Sequence, residues 1–192
     1  MVSERLYFGL LALLALERSI ELVLSRRNAQ WALQRGGVEY GQRHLAWMKR
    51  LHVAWFCAAA SEVALLGRPF IPALGWSCLV LLLASQALRY WTIWSLGRRW
   101  NIRVIVVPGM PAEVGGPFRY LRHPNYLAVS VELLVVPLLH GAYLTAALFS
   151  ALNALLLSVR IRCEEAALSE HCEYSERLGP RRRLWPSAPG AR

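Results

Sequence analysis

Apolar residues fall into five runs along the chain, 6–24, 45–66, 71–95, 126–139 and 142–159, separated by polar and mostly basic stretches. A helix needs about 20 consecutive apolar residues to cross a hydrocarbon core of about 30 Å, so the pattern predicts five helices of spanning or near-spanning length. The fourth run is the shortest and holds Glu132 and Pro137. Its length fits a tilted or re-entrant segment, hairpinned to the fifth run through His140 and Gly141. The first run is not a signal peptide by this reading, because Glu17, Arg18 and Glu21 interrupt it and no small-residue cleavage site follows.

Composition narrows the class. The 192 residues are 56% hydrophobic and 18% charged, with a mean hydropathy of +0.32. That is too apolar for a water-soluble domain of this length and far too apolar for disorder. The expectation is a single domain over 1–192, an all-α integral membrane protein with about five transmembrane helices. The stretches at 107–117 and 179–190, with their Pro and Gly, read as loop and tail.

Lys and Arg number 22 against 12 acidic residues, a net charge of +10. Six of the basic residues lie in 25–50, five in 97–125 and seven in 160–192, whereas the turn after the second run has Arg68 alone and the turn after the fourth has none. By the positive-inside rule the long connections and the C-terminus are cytoplasmic, and the N-terminus is outside. The basic excess therefore reads as topology and not as a nucleic-acid footprint. Cysteines at 57, 78, 163 and 172 form no CxxC pair, so neither a disulfide framework nor a metal site is expected.

Ionisable groups at bilayer depth are costly and should face the bundle interior. Glu17, Glu21, Ser25 and Asn28 make one polar stripe on the first helix, suited to pairing with Arg89. Glu132 has two open readings, a structural ion pair or a group facing substrate. Trp91, Trp94 and Trp100 cluster where the third helix leaves the membrane and read as interfacial anchors.

Two polar clusters hold the candidate chemistry. In the first, Pro124 restricts His123 to extended geometry and suits the first turn of the fourth helix. Free backbone N–H groups there, with Arg122 and His123 beside them, would make a seat for a carboxylate or phosphate. In the second, Arg160 and Glu164 lie one turn apart where the last helix emerges from the membrane, followed by Glu165. Each cluster also has a plainer reading, as headgroup contacts and as a solvated helix face.

The order Gly-Pro-Phe-Arg-Tyr-Leu-Arg-His-Pro-Asn-Tyr over 116–126, a helical hairpin, then Arg160, Glu164, Glu165 and Leu168, resembles the isoprenylcysteine carboxyl methyltransferase family over residues 97–185. The first half, with Asn28, Gly36, Gly37, His44 and His52, is similar to a bacterial branch that O-methylates alkylpyrones and related polyketide lipids. The resemblance implies an S-adenosylmethionine-dependent enzyme of the bacterial inner membrane with a cofactor pocket at the cytoplasmic face. It implies helices in 1–96 followed by a cofactor-binding and catalytic half in 97–192. No glycine-rich dinucleotide fingerprint is present, which accords with a non-Rossmann methyltransferase.

Carried over by position, Phe118, Arg122, His123, Pro124, Asn125, Tyr126 and Glu164 hold cofactor, and Arg160 addresses the substrate. The 106–114 loop walls the adenine. The eukaryotic enzymes usually have Tyr where Phe118 stands, so a hydroxyl contact is lost here. The acceptor would be a lipophilic small molecule reached from the membrane lipids. A carboxylate or acidic enol would pair with Arg160 and needs no base, whereas a phenol would turn Glu132 or Glu165 into a candidate base. A phospholipid amine N-methyltransferase and a non-catalytic membrane scaffold or transporter subunit are the alternatives.

Overall fold

Each apolar run is helical in the computed structural model, which describes residues 2–186. The end of the 179–190 tail and Arg192 lie outside those residues. The five helices are α1 (Val2–Leu33), α2 (Gln42–Leu66), α3 (Pro72–Leu96), α4 (Pro124–Leu138) and α5 (Tyr143–His171). Their ends follow local chemistry. Gly67, at φ 54°, caps α2 in the left-handed region, and Pro72 and Pro124 occupy the first turns of α3 and α4, where a missing N–H costs nothing.

The segments Pro72–Arg99 and Tyr143–His171 are long and apolar enough to cross a membrane, and Pro124–Leu138 is apolar but shorter. Large apolar side chains face outward on several helices, among them Leu16 and Ile20 on α1, Val80 and Leu83 on α3, and Leu148 and Leu155 on α5. An apolar exterior of that extent suits lipid, not water, as the solvent.

The architecture departs from all-α in one place. Val38–Tyr40 (β1) and Val104–Val106 (β2) pair antiparallel, with Val38 opposite Val106 and Tyr40 opposite Val104. The β-branched run favours an extended strand, and Gly36, at φ 78°, reverses the chain after α1. Gly37 packs so closely that a Cβ there would lie 2.7 Å from the Ala32 carbonyl oxygen.

α4 lies at the centre of the bundle. Its Leu133 and Val136 pack with Trp55 and Val63 of α2, Leu82 of α3 and Phe149 of α5 in one buried cluster. Pro137 has no N–H to give the Leu133 carbonyl four residues earlier, and the Trp55 indole N–H supplies that bond from α2 at 3.1 Å. A backbone carbonyl buried in a lipid-embedded bundle requires such a partner. Glu62 does similar work at the other end of the hairpin. Its carboxylate accepts from the Leu144 and Thr145 amides and the Thr145 hydroxyl at 3.1, 2.7 and 2.8 Å, and pairs with Arg68 at 2.9 Å. It thus caps the positive end of α5 from another helix.

At bilayer depth, Arg89 of α3 reaches Glu132 of α4 at 2.8 Å and Glu21 of α1 at 3.3 Å. Arg18 pairs with Glu21 at 2.8 Å and Glu17 at 3.1 Å, and Gln86 donates to Glu17 at 2.7 Å. The polar stripe of α1 is therefore turned inward, as its spacing predicts. Farther along that stripe, the Ser25 hydroxyl bonds Asn101 at 2.7 Å, and the Asn28 amide donates to the Trp100 carbonyl at 2.7 Å.

Trp55→Phe should destabilise the detergent-solubilised protein by about 1–3 kcal/mol by orphaning the Leu133 carbonyl. In a Pro137→Ala background, where an N–H is restored to the helix, the same substitution should cost clearly less. A double-mutant cycle in denaturant unfolding checks this, and equal costs in both backgrounds would refute it.

Candidate active site

The two sequence clusters meet. The first turn of α4 and the membrane-distal end of α5 flank a cavity of about 170 Å³ whose walls include Phe118, Arg122, His123, Pro124, Asn125, Tyr126 and Glu164. β2 and the loop after it, residues 104–107 and 110–113, form another side. A short helix α6 (Tyr174–Leu178) closes the remainder with Tyr174 and Leu178. Phe118 sits in a 3₁₀ turn, Gly116–Arg119, where it packs against Tyr174 and Leu178.

Tyr126 links the two motifs. Its hydroxyl donates to Glu164 and accepts from Arg160 Nε at 2.7 Å. Arg160 also donates to the Ile102 carbonyl and has its guanidinium 5.5 Å from the Tyr126 ring centroid. The His123 ring stacks on Tyr126 at 5.3 Å and 19°. Arg160 is 5% exposed and is joined to the cavity through Tyr126 and Glu164, not as one of its walls.

A second network straps the C-terminal segment over the site. The Arg122 and His123 amides each donate at 3.0 Å, to the Arg182 and Arg183 carbonyls. The Arg122 guanidinium donates to the Arg181 carbonyl at 2.6 Å, the Gly179 carbonyl at 2.5 Å and Glu165 at 3.3 Å. Glu165 also meets Arg183 at 2.6 Å and His123 Nε2 at 3.1 Å. An ionised carboxylate only accepts, so Nε2 is the protonated nitrogen in this contact.

Glu165 lies beyond the apolar part of α5. Burial alone would raise its carboxyl, but hydrogen bonds from His123 and Arg183 outweigh that and hold its pKa down at about 2. Burial, with Glu165 and Glu164 nearby, pushes the Tyr174 hydroxyl above its ordinary range. Tyr174 thus stays protonated, 3.3 Å from His123 Nε2.

Several expectations need correction. The anion seat expected at the first turn of α4 is not open in that form: the Tyr126 and Leu127 amides donate to the His123 carbonyl, and the Arg122 side chain beside them is held by the Gly179 and Arg181 carbonyls and Glu165. Glu132 is remote from the cavity and is held by Arg89 and Arg18, so its ion-pair reading prevails. Glu165 is bound into the strap and is not a cavity wall. Trp100 is not an interfacial anchor: Trp91 and Trp94 are 46% and 86% exposed, whereas Trp100 is 2% exposed and lines the cavity. Tyr174 and the 179–183 backbone went unread as site elements, since no periodicity or charge pattern marks them.

Two buried polar atoms of the cavity residues have no partner among the described residues, Trp100 Nε1 and Asn125 Oδ1. A donor and an acceptor orphaned beside one cavity are costly unless a ligand completes them.

Residues 78–170 match the isoprenylcysteine carboxyl methyltransferase (ICMT) family. The chain is also 38% identical over 167 residues to YpbQ, an uncharacterized protein of Bacillus subtilis (strain 168), covering 86% of this chain and 98% of the relative. An uncharacterized protein of Haemophilus influenzae (strain ATCC 51907 / DSM 11121 / KW20 / Rd) is 30% identical over 155 residues, 79% of this chain and 88% of its own. The chain belongs to the ICMT family. Family membership implies a membrane methyltransferase. The matched stretch runs from α3 to the end of α5 and so takes in both halves of the Tyr126–Glu164 contact.

The low pKa of Glu165 makes the strap acid-sensitive in a defined window. The unfolded value is about 4.3, so the stabilising contribution is complete above that pH and is lost as pH falls towards about 2. Hydrogen exchange at the Arg122 and His123 amides, corrected for intrinsic rates, should show protection that falls between these limits. In Glu165→Gln, protection should be weak even at neutral pH.

Proposed function

We propose that the chain is an S-adenosylmethionine-dependent O-methyltransferase acting on a lipophilic carboxylate or acidic enol. In this reading 1–192 is one domain with five spans, the N-terminus outside and the C-terminus in the cytoplasm of a bacterial inner membrane. The catalytic half is 97–192. The observation that carries the reading is the single cavity built jointly from His123, Asn125, Tyr126 and Glu164, with Trp100 Nε1 and Asn125 Oδ1 left without partners beside it.

The residues fit the cofactor's chemistry. Asn125 Oδ1 and the Glu164 carboxylate are acceptors suited to an ammonium or ribose hydroxyls. Trp100 Nε1 is a donor suited to a carboxylate or a purine nitrogen. The β2 wall and Phe118 offer apolar surface to adenine. When bound, S-adenosylmethionine supplies a methyl group on a sulfonium with a good leaving group. The chain therefore has to align two reactants and exclude water, and the Tyr174–Arg183 segment covers the cavity in the required way.

The acids favour an acceptor that is already anionic. Glu132 is spent in ion pairs and Glu165, with a pKa of about 2, is too weak a base to deprotonate a phenol near pKa 10. An acceptor already anionic at neutral pH needs neither. Arg160, one turn nearer the apolar part of α5 than Glu164, reaches the cavity through Tyr126 and would offset the charge of such an acceptor.

Membranes containing the protein, incubated with methyl-labelled cofactor and candidate lipid acids, enols and phenols, should yield labelled esters or enol ethers by mass spectrometry. His123→Ala and Glu164→Gln should weaken S-adenosylhomocysteine binding by about tenfold or more, the loss of one or two charge-assisted hydrogen bonds. Arg160→Ala should abolish transfer while changing that affinity far less. Normal turnover in all three variants would overturn the assignment.

A further inference from the structure

A second concavity lies outside the cavity just described, in the cleft between α1 and the end of α3. Arg27 and Trp31 of α1 and Ile93, Gly97 and Arg98 at the α3 end line it, with Leu24 one turn below Arg27. Gly97, at φ 52°, brings no side chain to the cleft. Leu24 is 37% exposed, so the floor of the cleft is apolar and accessible.

The rim is cationic and unsatisfied. Arg27 and Arg98 are both exposed, and neither has a hydrogen-bond or ion-pair partner among the described residues. Arg99, next to Arg98, is by contrast held by Glu113 and the Pro111 carbonyl. Trp94, one helical turn before Arg98, is 86% exposed. An exposed Trp flanking an apolar span marks the level of the lipid headgroups. The cleft thus joins an apolar floor to two free guanidiniums at headgroup depth.

We propose that this cleft binds an anionic phospholipid of the inner leaflet, its phosphodiester held between Arg27 and Arg98 and an acyl chain laid against Leu24 and Ile93. Guanidinium forks match phosphate oxygens in geometry and charge. The leaflet assignment rests on the topology given under the proposed function. The site is distinct from the cofactor cavity, yet the two share one side chain. Trp31 lines both and carries the Arg35 guanidinium over its ring at 4.4 Å. A headgroup seated in the cleft therefore touches the partition of the cavity next to it.

The test is native mass spectrometry of the full chain, extracted in neutral detergent and equilibrated with mixed micelles of phosphatidylglycerol and phosphatidylcholine. The wild type should retain phosphatidylglycerol selectively, and Arg27→Gln with Arg98→Gln should reduce that selectivity about tenfold or more, on the scale of two basic residues at an anionic lipid surface. Arg43→Gln with Lys49→Gln, which removes the same charge from exposed positions elsewhere on the same side, should leave it unchanged. Thermal unfolding of each variant establishes that it is folded, and single Arg27→Lys and Arg98→Lys variants, with partial selectivity expected, replace a double variant that is not.

Undiminished selectivity in the Arg27/Arg98 variants would overturn the proposal, as would equal loss in the control pair. S-adenosylhomocysteine binding is measured on the same samples. Lipid selectivity without nucleoside binding would count against the methyltransferase reading alone, and nucleoside binding without lipid selectivity against the cleft alone.

Discussion

Arg89 ties three helices together where water is scarce. Buried at 4% exposure, it holds Glu21 of α1 and Glu132 of α4 at once. A charge in so poor a solvent is tolerable only with its partners in place, and removing one would strand the others. The constraint sets the register of α1. One turn beyond Glu21, Ser25 grips Asn101, and Asn28 then holds the Trp100 carbonyl. The wall of the cavity is thereby positioned from a charge cluster in the middle of the bundle.

The polar groups divide into two kinds by what completes them. The carboxylates of Glu17, Glu21 and Glu132 are paired by Arg18 and Arg89, and that of Glu62 by Arg68 and the start of α5. Trp100 Nε1 and Asn125 Oδ1 have no partner among the described residues. Ionisable residues at bilayer depth were reasonable suspects for chemistry, but the unsatisfied atoms that belong to cavity residues sit on Trp100, after α3, and Asn125, in the first turn of α4.

The helices were legible in the sequence because burial in a bundle and contact with lipid both select long apolar runs, and the basic connections punctuate them. The meeting of Tyr126 with Glu164 was legible only through the resemblance, since 38 residues separate them and no periodicity relates the two. The inward turn of Glu21 followed from spacing. The strand pair did not, because three-residue strands depend on a partner 64 residues or more away and leave only a trace of β-branching. Trp100 was misread for a physical reason: a tryptophan beside a span is equally suited to an interface and to a cavity wall, and the local sequence does not distinguish the two.

The clasp between the Arg122–His123 amides and the Arg182–Arg183 carbonyls has a consequence for biosynthesis. These carbonyls emerge from the ribosome after α1 to α5 have been made, so a nascent chain halted at α5 has its bundle but not the cover of its cavity. The order of synthesis itself keeps the unfinished protein from assembling a closed site within the membrane.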